Sequence, residues 1–445
     1  MINRSVHNDR CKSGAEMREP MDLAETERKF IDLIKIESVT PVKNEIEAVR
    51  FLENILKENK LPYEILKEHE EHPNLLARIK AAAPENPPVV LISHIDVAEV
   101  QPECWQYPPF GGEIHEGRIF GRGTLDTKQL TMMELYCFLK LNAQRERLNR
   151  DIYFLATANE EGGSRYGMEY LRRLKPSFFQ GKLVINEGGG FPLHSNGRDY
   201  MTLTVGEKGS CRVRVYAKGQ ASHGSAPGDD QAVLKLADAL EGIFQKGNHF
   251  KSGSRQTADR MEKLLEGTLP DNPTALDIFR YSSENGIGIR SYCIGQRSNI
   301  IPAAAEAVLE LKVLPGTTLD ELRQFLTEAL ERKDAAFEIL SYEDGFECSE
   351  DDMLSLAASL EKSCRDNGFA CRVLPMLALG RTDGRFFGAR GSAVYGLSPV
   401  LLEDSFDKIL PKVHGNNESI SRASLQFGCR VLYDIISQYC CEKEG

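Results

Sequence analysis

No stretch of this sequence stays apolar over the roughly 20 residues that a bilayer-crossing helix needs, and it contains no low-complexity tract and no internal repeat. Basic charge is not in excess. Against 66 aspartates and glutamates stand 55 lysines and arginines, a formal net charge of -11 with the acidic groups dispersed. The electrostatic footprint of a nucleic-acid binder is therefore missing, and neither nucleic acid nor a membrane is expected as a partner. The eleven cysteines are odd in number and include no CxxC. That argues against a disulfide framework and a zinc knuckle and suits reduced thiols in the cytoplasm. The opening MINRSVHNDRCKSGAEMREP lacks a hydrophobic segment, so residues 1–22 read as a loose N-terminal extension.

What is present is the composition of an ordinary globular chain, 41% hydrophobic over 445 residues, enough for two or three cored domains. EIEAVRFLENILKENK and TKQLTMMELYCFLKLNAQ carry apolar residues at helical spacing, while PVVLISHID, DIYFLATA and KLVINEG read as strands. Such alternation predicts a layered α/β domain. After about Val205 the texture changes: in SCRVRVYA, Cys211, Val213 and Val215 alternate with Arg212 and Arg214, as in a sheet with one wet face. Strand, helix (231–245), strand (287–294), strand (305–313), helix (318–331) and strand (336–342) then follow, the order of a ferredoxin-like α+β sandwich. The stretch 246–286 reads as partly helical, with no role assigned. From Asp351 the α/β texture resumes. The expected organisation is a larger α/β domain, residues 23–205 and 346–445, interrupted by a smaller inserted domain at 206–345.

The chemistry sits at predicted strand ends, where open α/β sheets build their sites. His94 and Asp96 in LISHIDV leave the same face of a strand, although a plain His–Asp hydrogen bond would explain them as well. Asp126 follows a Gly-x-Gly turn in GRGTLDTKQ, where an aspartate can be a simple turn former. Glu160 and Glu161 end the strand in ATANEEGG, and neighbouring side chains there diverge, so one can ligate an ion while the other faces a water. A solvated acidic loop is the bland alternative. Glu187 follows an apolar strand in LVINEGGG, and His414 in LPKVHGNNESIS lies just ahead of a predicted helix. Together, two histidines and three carboxylates suit two divalent ions sharing a bridging carboxylate. Two dications balance three carboxylates and a hydroxide. With nitrogen and oxygen donors and no thiolate, zinc is favoured, with manganese or cobalt as alternatives.

The ordered motifs SHIDV, GRGTLDTK, NEEGG, NEGG, SHGSAP, RSNIIP, TDGRFF and HGNNE resemble those of the M20 metallopeptidase family, which includes aminoacylase-1, carboxypeptidase and succinyl-diaminopimelate desuccinylase relatives, over roughly residues 25–440. The resemblance implies a zinc-exopeptidase-like catalytic domain with an inserted ferredoxin-like lid and dimerisation domain. It implies one metal held by His94, Asp126 and Glu187, the other by Asp126, Glu161 and His414, with Asp96 orienting His94. Glu160 would be the general base that activates metal-bound hydroxide. His223 of SHGSAP would stabilise the oxyanion from the partner subunit of a homodimer, and Asn299 and Arg385 would bind the substrate's carboxylate or nearby polar groups. Three departures stand out: Lys312 where an arginine is usual, and Gln129 and Arg381 where glycine is frequent, the last two adding bulk near the expected pocket. The implied activity is cleavage of the amide bond of N-acyl amino acids or short peptides. Exopeptidase or dipeptidase action is the alternative within enzymes, and a non-catalytic binding member of the fold is the alternative outside them.

Overall fold

Valine and isoleucine runs bounded by polar turns become the parallel centre of a sheet. In the computed structural model, which describes residues 20–40, 45–247, 250–295 and 299–441, Val89–His94 is buried at every position and so needs a neighbour on each edge and cover on each face. It pairs in parallel with Ile152–Thr157 on one side and Leu183–Asn186 on the other, and the latter pairs in parallel with Ala393–Gly396. Antiparallel strands extend this centre, Asn74–Ile79 and Tyr63–Leu66 beyond Ile152–Thr157, and Arg198–Glu207 beyond Ala393–Gly396. The N-terminal extension up to residue 19 and the Arg297–Ser298 part of the RSNIIP motif lie outside the described residues.

Helix Lys128–Asn142 is buried along almost its whole length. An all-round apolar helix belongs inside, and this one lies between strand Val89–His94 and the helices Leu23–Ile34 and Arg422–Cys440. Its first residue, Lys128, is fully buried and donates from Nζ to Leu33 O (3.1 Å) and Ile36 O (2.7 Å), satisfying carbonyls at the end of the first helix. Local capping sets the other starts: Asp22 accepts from Glu25 N–H at 2.7 Å and Ser421 from Ser424 N–H at 2.9 Å.

The chain divides into two compact units, one holding Met1–Val205, Gly267–Leu276 and Cys348–Gly445, the other Gly206–Glu266 and Asp277–Glu347. The second is a four-stranded antiparallel sheet in the order Gly286–Ile294, Ala304–Val313, Gly209–Lys218, Ala336–Glu343. Cys211, Val213 and Val215 are buried as their alternation requires, against Leu236 and Ile243 of helix Ala232–Gly247 and Leu322 and Leu326 of helix Leu319–Ala329. This is the expected β-α-β-β-α-β order. The expected continuous insertion over 206–345 is interrupted, however, because Gly267–Leu276 groups with the first unit. The Asp271 carboxylate explains it, accepting from the Ser195 hydroxyl at 3.0 Å and the Asn196 N–H at 2.7 Å. The stretch without an assigned role carries helices Gln256–Leu264 and Pro273–Ser283. Among the described residues no helix is long and apolar enough to cross a membrane.

The four parallel strands of the first unit end at His94, Thr157, Asn186 and Gly396, and the loops after them form one rim of the sheet. That rim is packed to backbone contact. A Cβ on Gly189 would stand 2.3 Å from Gly396 O and 2.8 Å from Thr204 N. Gly189→Ala should therefore destabilise the protein by about 1–3 kcal/mol through overpacking; an unchanged urea midpoint would show that the strands can part at no cost.

Candidate metal centre

The candidate site is built from those strand ends. His94 Nε2 lies 3.0 Å from Asp126 Oδ1 and 3.5 Å from Glu187 Oε2. The second oxygen of Asp126, Oδ2, lies 3.0 Å from His414 Nε2, which is itself 2.9 Å from Glu161 Oε1. One carboxylate thus faces two histidines, one through each oxygen. Ligand atoms of His94, Asp126 and Glu161 all fall within 4.8 Å of one another, with a nitrogen and carboxylate oxygens converging as divalent ions require. All five sequence-expected ligands are therefore brought together. His414 sits in a turn with φ of 58°, separated from helix Arg422–Cys440 by the short strand Ser419–Ser421.

Two buried acids hold this constellation. Asp96 accepts from Glu160 N–H (3.1 Å) through Oδ1 and from Glu161 N–H (3.0 Å) through Oδ2. Because its oxygens are engaged there, His94 Nδ1 donates instead to the Asp96 main-chain carbonyl at 2.9 Å, with the carboxylate 3.5 Å away. Asp96 thus meets His94 chiefly through its backbone. Glu418 does for Asp126 what Asp96 does for the glutamates: it accepts from Leu125 N–H (2.5 Å) and Asp126 N–H (3.2 Å), and is paired at 2.7 Å with the equally buried Arg122. Nothing in the sequence marked Arg122. Glu418 lies in the HGNNE motif four residues after His414, which was a signal, but its role is visible only in three dimensions.

The remaining expectations fare differently. Glu160 Oε1 lies 3.9 Å from Arg385 Nη1, so the expected base has a cation beside it. Arg385 itself donates to Thr382 O (2.6 Å) and Ser164 Oγ (3.3 Å), alongside Asp383, which accepts from Thr157 (2.8 Å) and Ser164 (2.6 Å). The Arg385 guanidinium thus spans Thr382, Ser164 and the neighbourhood of Glu160. A cavity of about 230 Å³ beside the cluster has Asp126, Glu160, Glu161, Glu187 and His414 among its lining groups and Phe191, Phe406, Leu410 and Val413 as apolar ones. Gln129 and Arg381, the two bulky departures, both line it. Gln129 is fixed by donating to Leu125 O (2.7 Å) and Ser398 Oγ (3.1 Å). His223 and Asn299 belong to the second unit, both exposed and adjacent: Ser222–His223 pairs with Ile300–Ile301, and Gly224 N–H donates to Asn299 O at 3.0 Å. Lys312 pairs with Glu310 at 3.2 Å.

Burial and crowding shift the protonation of the cluster. Burial pushes Glu160 well up, with Glu187, Asp383 and Asp96 adding to the shift against His94. Burial likewise takes Glu187 up to about 7. For His94, burial is outweighed by the Glu187 charge and by hydrogen bonds to Asp126, Asp96 and Glu187, and its pKa rises well above the ordinary value. Hydrogen bonds to Asp126 and Glu161 raise His414 to about 10. Crowded carboxylates take up positive charge from whatever is at hand, here protons on histidines. Divalent ions fit the same demand.

The matching family model is Peptidase family M20/M25/M40, over residues 90–438, and the chain belongs to this family. It is a metal-dependent hydrolase of amide bonds. Among its relatives, human N-fatty-acyl-amino acid synthase/hydrolase PM20D1 is 25% identical, over 82% of this chain and 77% of that protein. Aminoacylase-1 of Dictyostelium discoideum is 27% identical over 86% of this chain and 93% of that protein. The M20 family metallo-carboxypeptidase Sso-CP2 of Sulfolobus solfataricus superposes with a TM-score of 0.68 at 19% identity, covering 94% of this chain and 99% of that one. Human carnosine dipeptidase 1 does so with 0.60 at 15%, covering 93% and 96%. The last two likenesses establish the shared fold.

A second buried acid adjoins Asp96. Thr40 Oγ1 lies 2.8 Å from both Glu45 Oε1 and Asp96 Oδ2, and its single proton can serve only one of them. Burial, then the Asp96 charge, pushes Glu45 up to about 9, and the same Oε1 also lies 2.8 Å from His72 Nδ1. The folded value lies above the ordinary one, so the folded state binds the extra proton and stability falls as pH rises from about 4.5 to about 9. Metal-free Glu45→Gln, which cannot titrate, should lose less stability across this window than metal-free wild type in urea unfolding at pH 5.5, 7 and 9. Parallel curves would show that Glu45 is ionised in the fold.

Proposed function

We propose that this enzyme removes the acyl group from N-acyl amino acids. Two divalent ions, zinc by preference and otherwise manganese or cobalt, would be held by His94, Asp126 and Glu187 and by Asp126, Glu161 and His414. The observation that carries this is Asp126 facing one histidine through each oxygen. When bound, such ions supply Lewis acidity, which acidifies water and polarises a carbonyl. Glu160 lines the cavity beside the ligands, and its raised affinity for a proton suits a general base that takes one from the attacking water and returns it to the departing amine. Relatives named for N-fatty-acyl amino acids and aminoacylase favour deacylation, since the peptidase likenesses rest on fold at lower identity. A reducing, cytoplasmic setting suits the cysteines, which are free among the described residues.

His223 would act in the neighbouring subunit of a homodimer, a reading supported by its exposure and by Nδ1 being engaged with Ser225 Oγ at 2.8 Å, which leaves Nε2 for another partner. Asn299, beside it, would contact the substrate's polar groups. If so, Glu160→Gln and His223→Ala chains, each nearly inactive, should recover roughly a quarter of wild-type activity when unfolded together and refolded. No recovery in a sample containing mixed dimers would place His223 in its own subunit's site.

Elemental analysis should find about two divalent ions per chain. Asp126→Ala should lose most of both, while Glu160→Gln should keep them and lose turnover. Since the histidines hold protons when no metal is present, loading should release protons, seen as a dependence of the calorimetric binding heat on the buffer's ionisation enthalpy. Glu160→Gln protein without metal would make Glu160 a ligand and overturn its assignment as base.

A further inference from the structure

We propose that Thr40 is a positioning residue for the metal cluster, its hydroxyl fixing the Asp96 carboxylate and so the loop that presents Glu160 and Glu161; the inference rests on the metal-site reading above. The segment Ser38–Thr40 runs beside Ile95–Val97, which follows His94 directly, with Val39 and Val97 bridged in parallel. Ser38 Oγ donates to Ile95 O (2.6 Å), Val97 N–H to Ser38 O (2.9 Å) and Thr40 N–H to Val97 O (3.2 Å). The main chain on both sides of Asp96 is thus laced to a segment far upstream, and Thr40 stands at its end.

Both branches of the Thr40 side chain are used. The hydroxyl lies 2.8 Å from Asp96 Oδ2, the oxygen that also accepts from Glu161 N–H, and 2.8 Å from Glu45 Oε1. The methyl faces the loop itself, since a Cβ on Gly162 would stand 2.8 Å from Thr40 Cγ2. Thr40 therefore touches the acid that holds the loop and the loop that the acid holds. Thr40, Glu45 and Asp96 are all buried, so water does not replace a donor that is lost. An Asp96 carboxylate with one donor fewer turns more easily, and turning it moves the amides of Glu160 and Glu161. Those two residues carry the expected base and an expected ligand. Outer groups of this kind set how tightly a metal is held without touching it. The single hydroxyl proton is contested by Glu45, so a side chain at 45 that can itself donate to Thr40 Oγ1 leaves the proton to Asp96.

The test compares Thr40→Val, which keeps the shape and loses the donor, with Thr40→Ser, which keeps the donor and loses the methyl, and with Glu45→Gln, whose amide can donate to Thr40. Zinc affinity is measured at pH 7 by competition with a chromophoric chelator, and urea unfolding of the metal-free chains reports the fold separately. Thr40→Val should raise the zinc dissociation constant about 10- to 100-fold, while Thr40→Ser and Glu45→Gln stay within about threefold of wild type. A merely structural Thr40 would lower the urea midpoint of Thr40→Val and leave its zinc affinity at the wild-type value, which overturns the proposal. Equal losses in Thr40→Val and Thr40→Ser overturn it too, because the hydroxyl is then not what matters. So does a zinc affinity in Glu45→Gln about tenfold weaker than wild type, which would place the effect in the charge at 45. Should Thr40→Val not fold, Thr40→Ala read against Thr40→Ser makes the same comparison, since these two differ only by the hydroxyl. Wild type that binds no zinc overturns the metal-site reading, which a wild-type affinity in Thr40→Val leaves intact.

Discussion

The cluster depends on one interaction above the others: the hydrogen bonds from two consecutive main-chain amides, Glu160 and Glu161, onto the buried carboxylate of Asp96. Removing a carboxylate from water is costly unless donors replace its hydration. Here the donors are backbone groups that the end of strand Ile152–Thr157 would otherwise leave unpaired, so a burial cost and an unsatisfied loop offset each other. The geometry has a chemical consequence. Two successive amides aimed at one acid leave their side chains to diverge, Glu161 toward His414 and Glu160 toward Arg385. The divergence of these two side chains thus follows from how the loop is hung.

Glu418 repeats the device on Leu125 and Asp126 from the other half of the catalytic unit, with Arg122 neutralising it. The segment that bears His414 therefore also steadies Asp126, which His414 faces. Both acids exert their effect without offering an oxygen to the metal cluster. They position residues that do. Such outer groups set ligand orientation and basicity, and their burial explains why so many carboxylates can be held in one place: some are satisfied by backbone amides, leaving the inner ones to demand a cation.

Much of this was legible before any coordinates. Val89–His94 and Lys128–Asn142 are apolar enough to be placed as core strand and core helix, and Cys211, Val213 and Val215 alternate cleanly enough to mark a one-faced sheet. The candidate ligands His94, Asp126, Glu161 and Glu187 stand out because each ends or follows an apolar strand or a glycine turn, whereas His414 is marked only by the helix expected after it. What stayed hidden is tertiary. Arg122 and Glu418 are 296 residues apart, and neither their pairing nor the Thr40 link between Glu45 and Asp96 has any local pattern. For Arg385 the sequence shows that a fork exists but not which way it points, here toward Thr382 and Ser164. Gly267–Leu276 joins the first unit through several hydrogen bonds to the distant turn at Ser195 and Asn196, which periodicity does not register.

A division of labour follows from where each kind of residue is anchored. The main-chain amides of Asp126, Glu160 and Glu161 are tied to buried acids, so small displacements there are opposed by several hydrogen bonds at once. Arg381, Leu410 and Val413 of the cavity wall sit on loops and turns, where substitutions can be absorbed without disturbing the sheet. His414 belongs with both the ligands and these turns, and it is tied down through its bonds to Asp126 and Glu161 more than through its own turn. A fold arranged in this way can keep one chemistry while its substrate changes. The residues that decide what this enzyme cleaves are therefore to be sought among the turns of the cavity wall, and those that decide whether it cleaves at all among the buried acids beneath.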